Sequence, residues 1–151
     1  MSYTPIITAA DLTDDLYQEK IDAITRTDST KADTAIAKAL EEVQSYLGRF
    51  DIIALFGDPV NNVAATVTSY MLKMLCINVA VWHLTRLANV GIDLTVIRTS
   101  YEDAIATLRR IQKVEQIPPN WPKLDIESID ADSKSGNPVA IKARPKRSNN
   151  F

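Results

Sequence analysis

One long apolar stretch constrains the fold more than any other feature. Over residues 63–90, Val67, Tyr70, Met71, Met74, Leu75, Ile77, Val79, Val81, Trp82, Leu84 and Leu87 cover nearly the whole circumference of a helical wheel. A helix apolar on all sides must be buried on most of them, so this segment predicts the central helix of a bundle. A membrane span needs about 20 consecutive apolar residues without charge. Lys73, Asn78, His83 and Arg86 interrupt this one, so no membrane partner is expected.

The flanking segments supply amphipathic partners for such a centre. Thr8 precedes "AADLTDDLYQEKIDAITR" and predicts a capped first helix, with Asp11 as an acidic variant of the capping box. Leu12, Leu16, Ile21 and Ile24 form its inward stripe, with Tyr17 a further candidate. The segment "LTDD" offers a second start at Thr13. After the polar loop 26–33, Asp33 predicts the cap of a second helix. There Ile36, Ala39, Leu40, Val43, Tyr46, Leu47 and Phe50 step by three and four. Gly48 within that stripe suggests a kink or a close helix contact. "GDPVNN" is a breaker, and Gly91 predicts the end of the central helix. In the last helix Ile97, Tyr101, Ala104, Ile105, Leu108 and Ile111 share one face, with Arg98 and Glu102 paired outside. "QIPPNWP" stops it. The prediction is an all-α bundle of four main helices, residues 1–120, followed by a long extended C-terminal arm, residues 121–151.

The 151 residues suit one domain with a core of its own. A net charge of −2 argues against whole-surface nucleic-acid binding. The charge is nonetheless uneven. Beyond Asp132 the chain carries five cations and no acid, which leaves residues 1–132 at −7. A basic arm on an acidic body points to a partner. The start of the chain shows no secretory signal, so a cytosolic origin is expected.

Chemistry-bearing motifs are missing. His83 is the single histidine and Cys76 the single cysteine, too few for a zinc site, so no metal is expected. A Cys76–His83 pair seven residues apart is a conceivable nucleophile and base, but the apolar helix offers no oxyanion donors. A buried thiol and a hydrogen-bonded core histidine explain both residues better. The adjacent carboxylates Asp14–Asp15, Glu41–Glu42 and Glu102–Asp103 point about 100° apart on a helix and read as solvated faces. With four glycines and no phosphate loop, neither a cofactor nor a small-molecule substrate is expected. The chain does not read as an enzyme.

In the order "ITAADL", "SYLGRFD" (residues 45–51), "MLCINVAVWHL" and "IRTSYEDAIATLRRIQKVEQI" (residues 97–117), the sequence resembles the small helical head–tail connector, or adaptor, proteins of Mu-like tailed phages. The resemblance covers about residues 1–120. It departs after the third helix, where "NVGIDLTV" replaces a basic residue common in the family, and in the longer arm. It implies a structural virion protein at the phage neck, assembled in the host cytoplasm. The expected partners are the portal protein, other copies of the chain in a ring expected to be a dodecamer, and tail or further neck proteins. Incidental contact with packaged DNA fits the basic arm. A tail-completion or terminator protein and a helical nucleic-acid-binding regulator are the alternative readings.

Within that resemblance the expected interface has two parts. Arg49 and Asp51 flank the second helix as charges for a neighbour, and Ile52, Ile53 and Phe56 form a segment more apolar than a monomer's loop should be. On the arm, Lys142, Arg144, Lys146 and Arg147 are expected to pair with carboxylates of a neighbour, with Phe151 as an apolar anchor.

Overall fold

The computed structural model describes residues 2–26, 28–87 and 93–124. Among these the chain is all helical: a 3-10 helix Ala9–Asp14, then α1 Gln18–Thr25, α2 Thr30–Tyr46, α3 Ile52–Phe56, α4 Tyr70–Thr85 and α5 Leu94–Gln112. The α4 helix is the centre, as its apolar circumference requires. It packs on α2, α5 and the 3-10 helix, and α2 also touches α1 and α5. Leu72, Leu75, Cys76, Val79, Ala80, Val81 and Leu84 of α4 are buried. They meet Ile36, Ala39 and Val43 from α2 and Ala104, Ile105, Leu108 and Ile111 from α5 in one continuous core.

Local chemistry decides where each element begins. The expected first helix splits in two. Thr8 donates its N–H and hydroxyl to Asp11 Oδ2 at 2.6 and 2.9 Å, closing the 3-10 turn. A second start then follows at Gln18, later than the Thr13 alternative. Leu12, Leu16, Ile21 and Ile24 are buried as their stripe demands, whereas Tyr17 is 83% exposed. The second helix begins at Thr30, three residues before the expected cap. Asp28 accepts the Thr30 N–H, so Asp33 sits in the first turn, where its charge favours the helix dipole. Asp51, Ser69 and Asp93 accept backbone N–H groups at the starts of α3, α4 and α5. The expected stop at Gly91 and the arm beyond Leu124 lie outside the described residues.

The α2 helix ends at Tyr46, with Leu47 as its cap. Gly48 is therefore outside the helix, and a Cβ there would have nothing within 4 Å. The expected kink or close contact at Gly48 is absent. Gly57 is the constrained glycine, with φ +79° and Val63 O only 2.6 Å from where a Cβ would stand.

Residues beyond α5 belong to the body through Leu124, past the expected boundary at 120. Trp121 is buried, packs edge-on against Phe50 at 5.4 Å, and donates its Nε1–H to Ser69 Oγ at 3.1 Å. The backbone that follows it, residues 122–124, pairs antiparallel with the α2–α3 junction, so residues 121–124 form a strap. Asp51 N–H donates to Pro122 O, and Leu124 N–H donates to Arg49 O.

Candidate docking surface

The junction and the returning strap build a surface that neither forms alone. Gly48, Arg49 and Phe50 from the junction, Ile111 from α5, Val114, Gln116 and Ile117 from the turn after it, and Lys123 and Leu124 from the strap enclose an open groove of about 380 Å³. Its lining is mostly apolar, and Val114, Ile117 and Leu124 are among the exposed large hydrophobic residues of the chain. Val114 also has φ +65°, a region in which a β-branched residue is strained. Arg49 and Lys123 contribute the only charges of the lining, and neither has an ion-pair partner among the described residues.

The expected interface residues at this junction divide by what they touch. Arg49 is exposed on the groove, and Ile53 is half exposed on α3. Asp51 is committed inward, its Oδ1 accepting the Ala54 N–H at 3.1 Å to start α3. Phe56 is buried, and Ile52 is packed against the core. The apolar run Ile52–Phe56 is thus a short helix turning Leu55 and Phe56 inward, and Phe56 cannot reach a neighbour. Lys142, Arg144, Lys146, Arg147 and Phe151 lie outside the described residues. The groove itself had no sequence signal, because its walls come from three segments.

A second cluster ties three helices together through one carboxylate. Glu42 Oε2 on α2 is 2.6 Å from His83 Nε2 on α4, and Glu42 Oε1 accepts the Tyr101 hydroxyl of α5 at 2.7 Å. Glu42 is therefore not the solvated helix face expected of it. Burial and the neighbouring Glu42 carboxylate push the Tyr101 phenol up to about 12. Trp82 and Tyr101 stack at 5.3 Å with Arg86 over the indole, and both rings are half-buried. The His83 nitrogen is occupied by Glu42, and burial pushes the Cys76 thiol up to about 12, which keeps the nucleophilic thiolate scarce. The expected Arg98–Glu102 pair forms at 2.8 Å. No three His, Cys, Asp or Glu side chains converge to hold a metal, and no helix is long and apolar enough to cross a membrane, among the described residues.

The model of one protein family, described as Bacteriophage Mu, Gp36, matches residues 7–116. The chain belongs to the bacteriophage Mu Gp36 family. No curated protein matches it. The Gp36 match takes in every helix described above and ends within the turn that follows α5. It contains the Glu42–His83–Tyr101 cluster and most of the groove, whereas the strap residues Trp121, Lys123 and Leu124 fall beyond it. This is a Mu-like phage protein with an all-α fold.

Proposed function

We propose that this Gp36-family chain is a structural head–tail connector of the phage neck. It forms a ring on the portal protein and offers a docking surface to tail or further neck proteins, acting by assembly and not by catalysis. Family membership supports a phage role. The observation that carries the connector reading is the exposed junction surface, where an apolar groove bears two cations, Arg49 and Lys123, that have no ion-pair partner among the described residues. A contiguous apolar surface rimmed by charge is characteristic of a protein-binding site. A helical nucleic-acid-binding regulator is less well supported. Its recognition helix must be free to enter a groove, and α4 is buried along most of its length.

Sedimentation of the protein alone and with purified portal tests the reading. The isolated protein should be monomeric, and a nuclease-insensitive complex of fixed stoichiometry should appear with portal. Failure to join portal at any salt concentration would remove the connector reading. Salt-dependent affinity for duplex DNA without portal binding would favour the regulator.

A further inference from the structure

We propose that the groove at the α2–α3 junction is a peptide-docking site, and that its occupant is the acidic segment 125–132 of the same chain. The inference concerns the same groove that carries the connector reading: in the free protein the segment fills it, and a neck protein that docks there displaces the segment.

Three observations converge on that occupant. First, chain geometry delivers it. Leu124 is itself part of the groove wall, and its N–H is bonded to Arg49 O. The strap pairs antiparallel with the junction as far as Leu124, and Gly48, the residue before Arg49, has nothing within 4 Å of a Cβ position. An extended chain advances about 3.3 Å per residue, so Ile126 and Ile129 fall about 7 and 17 Å of chain beyond Leu124.

Second, the chemistry is complementary. The segment "DIESIDAD" has four acids, no cation, and two isoleucines three residues apart. The groove has an apolar floor, two cations without an ion-pair partner among the described residues, and no acid in its lining. Isoleucine burial against Ile111, Val114 and Ile117 supplies the driving force, because solvated charge pairs contribute little by themselves. The charges instead fix which part of the chain is admitted. Residues 133–151 carry five cations and would meet Arg49 and Lys123 with like charge.

Third, the groove exposes apolar surface that an occupant would cover. Val114 is held at φ +65° with its side chain 44% exposed, a strained position for a β-branched residue. Covering it gives that side chain an apolar environment. The acidic segment then belongs to the body, and the basic stretch begins where the acids stop.

The test uses the full chain with paired cysteines. Ile117→Cys is combined with Ile126→Cys in one variant and with Ile129→Cys in another. Val60→Cys with Ile129→Cys is the control, since Val60 is 89% exposed and does not line the groove. Under mild oxidation at least one groove pair should close within a single chain about tenfold faster than the control, reflecting the higher effective concentration. Closure no faster than the control overturns the proposal. A disulfide-linked dimer in place of the internal link also overturns it, by making a second copy the occupant. As an independent measurement, Ile126→Asp with Ile129→Asp should lower the thermal midpoint. An unchanged midpoint counts against the proposal, and neither result depends on portal binding.

Discussion

Truncation of Trp121 to alanine should destabilise the helical body, although the residue lies beyond the last helix. Two losses add up. The indole is 7% exposed and fills the space between Phe50 and the start of α4. Truncating a buried Phe or Trp costs about 3–5 kcal/mol, which includes the cavity left behind. The edge-on contact with Phe50 at 5.4 Å is part of that sum. The Nε1–H bond to Ser69 Oγ contributes about 1 kcal/mol net, and Ser69 also caps α4 by accepting the Leu72 N–H. A loss of about 4 kcal/mol corresponds to a fall of about 10 °C in the midpoint for a domain of this size. Thermal and urea denaturation followed by circular dichroism measures it. Trp121→Phe separates the terms, since it keeps an aromatic ring and loses the N–H, and should cost about 1–2 kcal/mol. If Trp121→Ala unfolds within about 1 kcal/mol of the parent, the strap is peripheral and the reasoning is refuted.

Gly57→Ala should lose about 3 kcal/mol or more, because the added Cβ meets Val63 O at 2.6 Å with φ at +79°; a midpoint equal to the parent's would mean that the turn after α3 yields freely. Tyr101 predicts an alkaline loss of stability. Its folded pKa of about 12 lies above the unfolded value near 10, so its contribution is complete below pH 10 and vanishes as pH rises through 12. Tyr101→Phe should flatten that part of the stability profile, and an unchanged slope between pH 10 and 12 would contradict the assignment.

Periodic positions were legible in the sequence, and positions that depend on distant partners were not. The stripes of α2 and α5 named most of their buried residues because a helix that packs on one side repeats its apolar positions every three or four residues, whereas Tyr70, Met74 and Leu87 of the all-round apolar central segment are exposed. Trp121 was invisible because "QIPPNWP" has no period and two prolines stop the helix before it. Its pocket is made by Phe50 and Ser69, which are far away in sequence. Glu42 looked like a surface acid because both of its partners are at least 41 residues distant. Asp51 was legible as a charge at a junction, but a cap and a partner contact have the same local sequence. The left-handed Val114, which turns the chain towards the strap, had no signal, because a β-branched residue is a poor choice for that conformation.

The antiparallel strap also fixes how the body meets a pull on its C-terminal end. Tension arriving at Leu124 loads its bond to Arg49 first and the Pro122–Asp51 bond next, so the strap peels one link at a time. Peeling stops at Trp121, whose indole is wedged against Phe50 and tied to Ser69. Force then passes into the α2–α3 junction and the first turn of α4, a helix buried along most of its length, before α5 is stretched along its axis. The tryptophan works as a cleat on the line, and the bundle core serves as its mooring.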